Sequence, residues 1–232
     1  NFCNACMPSN NINIKSVAVI GAGVMGAQLA ALFANKGIRS YLYDITTDTA
    51  TLGKDRLKII KPPPLEQPEN IELIQACSLD KDIHKIKKVD WIIEAVTEKI
   101  EIKIEVFKKV SPYIHKGAIL SSNTSGITLN ELIKNLPANL KSRFLITHFF
   151  NPPRYMKLLE IVKNEQTSLE TYNSLTSFCR SILNKGIVPA KDNPNFSGNR
   201  VGIFSLMSAI KLSIIKNIKL EEVDFLTGAI CG

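Results

Sequence analysis

Ser16-Val17-Ala18-Val19-Ile20-Gly21-Ala22-Gly23-Val24-Met25-Gly26 is the stretch that decides the fold. Five β-prone residues run into a G-x-G-x-x-G turn. From Val24 to Lys36 apolar residues then recur at helical spacing until Gly37, a natural C-terminal cap. Strand, glycine turn and helix in that order form a cradle for a pyrophosphate. Gly21 permits the tight turn, Gly23 lets the backbone approach the phosphates, and Gly26 lets helix and strand pack closely. Val24 and Met25 open the helix, whose unpaired N–H groups and dipole favour an anion. A glycine turn that binds nothing is the bland alternative, and the correct flanks on both sides argue against it.

Arg39 to Tyr43 is a second strand ending at Asp44, about 20 residues beyond the glycines. A carboxylate there accepts hydrogen bonds from the adenosine ribose and repels a 2′-phosphate, so NAD is expected rather than NADP. Arg39 stands too early in the strand to serve a 2′-phosphate.

Outward from this core, strands and helices alternate. A helix is expected over 46–60, stopped by Pro62-Pro63-Pro64. Strands are expected over 90–96, 118–122, 143–150, 156–162 and 187–190, and helices over 101–113, 129–135 and 169–183. The fold class is therefore α/β, a Rossmann-like, doubly wound, mostly parallel sheet. After Asn195 two helices, 200–216 and 220–227, follow without a strand between them. The expected organisation is a tail over 1–14, a cofactor-binding and catalytic domain over 15–194, and the start of an incomplete all-helical domain over 195–232.

Composition narrows the class. No apolar run approaches the roughly 20 residues that span a bilayer, and Asn1 to Asn11 lacks a signal-peptide layout. A soluble, cytoplasmic protein is expected. Five scattered cysteines argue against a disulfide framework. Cys3 and Cys6 form one Cys-x-x-Cys without two further ligands, so no metal site is expected. The formal charge of +8 resides largely in helical lysines, among them Lys103, Lys108, Lys109 and Lys116, read as a solvated face. No basic cluster with interleaved aromatics points to nucleic acid. A positive field suits an anionic ligand such as a dinucleotide better.

The chemistry-bearing stretch is Thr147-His148-Phe149-Phe150-Asn151-Pro152-Pro153-Arg154-Tyr155-Met156-Lys157-Leu158-Leu159-Glu160. His148 ends an apolar strand, and Glu160 lies inside the next one, where an unpaired carboxylate is costly. A return turn would bring the two together, the carboxylate fixing the ring tautomer and stabilising an imidazolium. A satisfied core histidine and a strand-edge charge are the blander readings. His84 and His115 sit in Lys-rich helical stretches, which leaves His148 as the candidate base. The polar turn Ser122 to Ser125 follows a strand's C-terminal end, where open α/β sheets bind ligands; a helix cap would use the same residue types.

The segment HFFNPPRYMKLLEIV resembles the signature of the L-3-hydroxyacyl-CoA dehydrogenases, especially the bacterial multifunctional fatty-acid oxidation proteins. GAGVMG, DWIIEAVTEKIEIK, SSNTSG and KDNPNFSGNR occur with it in the family order, so the resemblance runs from Lys15 to the C-terminus. It implies oxidation of an L-3-hydroxyacyl-CoA to the 3-ketoacyl-CoA with reduction of NAD. His148 matches the general base, Glu160 its carboxylate partner, and Ser125 a serine on the reacting oxygen. Asn199 matches an asparagine that helps hold the substrate carbonyl, an N-cap of the last long helix being the plainer reading. Glu98 and Lys103 match residues near the ribose and nicotinamide end of the cofactor, against the plainer reading of a solvated helix start. Asn151 matches a residue beside the nicotinamide.

The resemblance also implies an acyl-CoA substrate and a homodimer through the helical C-terminal domain, or association with a larger β-oxidation complex. Two departures stand out: a short helical region over 46–61, and a helical domain reduced to its beginning. An inactive dinucleotide-binding remnant of the same family is the alternative reading.

Overall fold

The Ser16–Ile20 run forms the central strand β1, because its apolar residues are buried on both faces of a sheet (Val17 to Ile20 are fully enclosed). The computed structural model describes residues 14–228. β2 (Arg39–Asp44) lies parallel to β1 on one side and β4 (Trp91–Glu94) on the other. β3 (Ile74–Ser78), β5 (Ile119–Ser122), β6 (Phe144–Phe149), β7 (Leu158–Val162) and β8 (Gly186–Ala190) complete the order β3-β2-β1-β4-β5-β6-β7-β8. All pairings are parallel except β6 with β7.

The chain winds from β1 through β2 to β3, then returns to the far side of β1 at β4. The β1/β4 boundary is thus the topological switch point, where the connections diverge and a crevice opens at the strands' C-terminal ends.

α1 (Val24–Ala34) packs on one face of the sheet, its Phe33 meeting Trp91 edge-on at 5.2 Å between ring centroids. α2 (Thr47–Arg56) and α6 (Leu169–Ser181) adjoin the same face. α3 (Ile100–Val110), α4 (Leu129–Ile133) and α5 (Ala138–Lys141) cover the other, with Phe107 against Phe144. Each fully buried apolar side chain contributes about 1.5–3 kcal/mol, so the two layers fix the sheet in place.

Several expectations are corrected. β3 was not anticipated: Ile74-Gln75-Ala76-Cys77-Ser78 is a short edge strand of weak β character, held by its ladder to β2. The first helix ends at Ala34, not Lys36, and Gly37 makes the turn at φ +71°. The helix expected over 46–60 shortens to α2, with Thr46 as its capping residue. Lys103 is no part of a solvated face; it is 1% exposed. Cys3 and Cys6 lie outside the described residues.

α7 (Gly198–Lys216) and α8 (Leu220–Gly228) follow β8. α7 starts at Gly198, so Asn199 stands inside its first turn, not at the N-cap. The two helices present large exposed apolar side chains, including Phe204, Ile214 and Phe225. Among the described residues no helix is long and apolar enough to cross a membrane.

Candidate active site

At the switch point β1 ends in the glycine turn. The Gly21 N–H donates to Tyr43 O at 2.8 Å, and Gly21 takes φ +106°, a conformation that L side chains rarely adopt. A Cβ on Gly26 would stand 1.8 Å from Gly21 O, so only glycine lets α1 approach β1 this closely. A Cβ on Gly23 would meet nothing within 4 Å. That open space lies at the start of α1, where first-turn N–H groups have no helical partner. A pyrophosphate fits this cradle.

Asp44 closes the turn from β2. Its Oδ2 accepts the Ala22 N–H at 2.7 Å and its Oδ1 the Ile45 N–H at 2.8 Å. A crevice of about 360 Å³ runs here, lined by Gly21, Gly23, Asp44, Ile45 and Ile102 among others. A second crevice, of about 370 Å³, is lined by Val24, Met25, Glu98, Ser125, His148 and Asn151 among others. Ala95 and Val96 border both, so the two halves form one trench across the strand ends. Its first half suits an adenosine and its second a nicotinamide. NAD therefore fits the residues present.

His148 and Glu160 are direct register partners across the antiparallel β6/β7 pair. His148 Nδ1 lies 2.8 Å from Glu160 Oε2, with both side chains buried. Glu160 Oε1 accepts the N–H groups of Ser197 at 2.9 Å and Gly198 at 2.7 Å. The carboxylate that strand burial would penalise is thus satisfied by three donors. Phe150 and Phe196 flank the imidazole, with ring centroids 4.4 and 5.7 Å away.

The polar turn after β5 is held from below. Glu98 accepts from the Thr124 hydroxyl, from Ser125 N–H at 2.8 Å and from Gly126 N–H at 3.0 Å. Asn199 Nδ2 reaches Ser125 O at 3.1 Å. Thr128, not this turn, caps α4, through a capping box with Glu131. Asn151 accepts a hydrogen bond from buried Gln28 at 3.0 Å.

Lys103 is enclosed beneath this turn. Its Nζ donates to both Glu94 oxygens, at 2.8 and 3.1 Å, and pairs with Glu98 at 3.1 Å. Its ammonium is committed to these carboxylates, so it bears on the cleft through Glu98. Burial pushes the Glu94 carboxyl up, against the ammonium that draws it down. For Glu98 burial acts upward too, but the Thr124 hydroxyl and Lys103 outweigh it and hold the carboxyl below the usual glutamate range.

Glu94 was missed at the level of sequence although its signal was present. It is a carboxylate inside the apolar run Trp91-Ile92-Ile93-Glu94, the feature that singled out Glu160. Asn123 was missed too: its Oδ1 takes the Phe149 N–H at 3.0 Å and ties the polar turn to the strand of His148. Nothing in the sequence signals Gly53, where a Cβ would come 2.4 Å from Ala22 O. Among the described residues no group of three or more His, Cys, Asp or Glu could hold a metal ion.

The family model described as 3-hydroxyacyl-CoA dehydrogenase, NAD binding domain, matches residues 16–193. The chain belongs to this family. A Rickettsia felis protein named as a trifunctional enzyme of the fatty acid oxidation complex is 40% identical over 218 residues, covering 91% of this chain and 30% of the relative. The mouse mitochondrial hydroxyacyl-coenzyme A dehydrogenase is 32% identical over 224 residues, covering 92% and 70%. Among solved structures, the (S)-3-hydroxybutyryl-CoA dehydrogenase of Ralstonia eutropha superposes with a TM-score of 0.76 at 26% identity, covering 94% and 78%. The chain spans about 30% of the length of the first curated relatives it matches. The expected Rossmann-like sheet, family and NAD-binding character all hold.

Proposed function

We propose that this chain oxidises L-3-hydroxyacyl-CoA to 3-ketoacyl-CoA in fatty-acid β-oxidation, with reduction of NAD to NADH. The observation that carries this reading is the 2.8 Å His148–Glu160 pair on the trench that leads to the glycine turn. NAD, when bound, supplies the hydride acceptor. With Nδ1 held by Glu160, Nε2 of His148 is the nitrogen that takes the substrate's hydroxyl proton. Glu160 fixes the tautomer and stabilises the imidazolium. Ser125 orients the reacting oxygen and Asn199 the thioester carbonyl, the two being linked at 3.1 Å. Gly21, Gly23, Val24, Met25 and Gly26 hold the pyrophosphate, and Asp44 the adenosine ribose. Glu98, backed by Lys103, shapes the nicotinamide end together with Asn151.

Residues 15–194 form the cofactor and catalytic unit in this reading, and 195–232 begin the substrate-side helical unit. The apolar side chains on α7 and α8 suit a homodimer or a place in a larger β-oxidation assembly. A cytoplasmic setting goes with this reading.

The test is NADH-linked reduction of acetoacetyl-CoA, with a free 3-keto acid as control. Turnover of the thioester alone is expected. His148→Gln should lose about 10²–10⁴-fold in turnover with little change in NADH affinity. NADH binding without any turnover would establish the inactive-remnant reading instead.

A further inference from the structure

Lys185 lies in the connection between α6 and β8 and is 6% exposed. Its Nζ donates to Pro153 O, and to Met156 O at 2.7 Å. The face of Phe149 lies 5.9 Å from the same nitrogen. Among the described residues no carboxylate pairs with it. Burial draws the amine down to about 8, with Cys179 of α6 and Lys36, just past α1, as its titratable neighbours. Lys36 is itself paired with Glu66.

A buried cation without a carboxylate is a liability for folding, and an apolar side chain of the same length would fill the slot. What Lys185 holds is the turn between the strand of His148 and the strand of Glu160. Pro152 and Pro153 have no N–H, so this turn has few donors of its own. Its internal backbone bonds are Tyr155 N–H and Met156 N–H to Pro152 O, each at 3.0 Å, while Arg154 and the Tyr155 hydroxyl tie its outer side to Pro63 O and Leu65 O. Phe150, packed on His148, and Asn151, on the trench, both begin this turn.

We propose that Lys185 is a positioning residue for the base: its ammonium clamps the 153–156 turn and so fixes Phe150 and Asn151 against His148. The inference deepens the dehydrogenase reading and rests on it for its kinetic arm only.

The test compares the full chain with Lys185→Met, which keeps the length and removes the donors. Three readouts are taken: the thermal midpoint, amide hydrogen exchange at Tyr155 and Met156, and acetoacetyl-CoA reduction. The expected result is a midpoint within about 3 °C of the parent and exchange at those two amides at least ~10-fold faster. The turnover number should fall ~10-fold or more with NADH affinity unchanged. Parental exchange rates together with parental turnover would overturn the proposal. So would a turnover loss matched by a lowered midpoint and by faster exchange throughout the sheet, the mark of a purely structural role. If the parent chain does not turn over acetoacetyl-CoA, the dehydrogenase reading fails, while the exchange arm still decides whether Lys185 clamps the turn.

Discussion

Glu160 and Gly198 stand 38 residues apart and are joined by a 2.7 Å hydrogen bond from the backbone N–H to the carboxylate. The same carboxylate holds His148 through its other oxygen. The helix that opens with Gly198 is therefore docked on the carboxylate that holds the His148 ring. A Cβ on Gly198 would come 2.6 Å from the Phe150 ring, which shows how closely α7 starts against the histidine.

Glu160→Gln keeps an acceptor but removes the charge that stabilises an imidazolium. Its turnover should fall about 10–100-fold, within the range of positioned acid–base effects, with a small loss of midpoint. Glu160→Ala leaves the Ser197 and Gly198 N–H groups and the imidazole unpaired. It should destabilise the fold by about 1–3 kcal/mol for each group left buried. Urea denaturation alongside steady-state kinetics separates the two variants. Equal stability of both would contradict the docking role.

Gly23 and Gly26 are three residues apart but should fail differently. Gly23→Ala puts a methyl into open space at the cradle, so the midpoint should hold while NADH affinity drops. Gly26→Ala drives a methyl into Gly21 O and should cost about 1–3 kcal/mol as overpacking. Calorimetry and NADH fluorescence titration on both variants check this contrast.

Asp44 meets the glycine turn through Ala22 N–H and faces the adenosine half of the trench. Removing it as Asp44→Ala should weaken NADH by about 10–100-fold, the worth of a hydrogen bond to a charged group. The same change should narrow the preference over NADPH, because the repulsion of a 2′-phosphate is gone. Titration with both dinucleotides reads the result; an unchanged ratio would remove Asp44 from ribose recognition.

Glu98 predicts an acid limit. Its carboxyl is held below the usual glutamate value of 4.5 in the folded chain, so the folded state favours the ionised form. The stabilisation it lends is complete above that value and is lost as pH falls through the lowered one. The thermal midpoint should therefore fall on the acid side of pH 4.5, and Glu98→Gln should flatten this limb. Thermal melts from pH 6 to about pH 3 decide it.

How much was legible in the sequence depends on how local the signal was. The glycine turn, Asp44 and most strands are written in short stretches whose periodicity and residue types act within a few positions. β3 was not, since a short edge strand with Gln and Ser in it takes its conformation from a neighbour's ladder. Lys103 shows the opposite failure. In sequence it looks like one more lysine on a basic helix, and only the fold places Glu94 and Glu98 around it.

The sequence alone pointed to the Rossmann-like class, to an NAD-binding cradle and to His148 and Glu160 as candidate partners. Each follows from glycine sterics, from carboxylate charge, or from the cost of an unpaired acid in an apolar strand. The tertiary structure alone decided that Glu160 also docks α7, that Lys103 is enclosed by carboxylates and that Lys185 donates to the turn between β6 and β7. Those relationships join residues up to 38 positions apart. Burial and hydrogen-bond partners over such distances exist only once the sheet order brings the strands together.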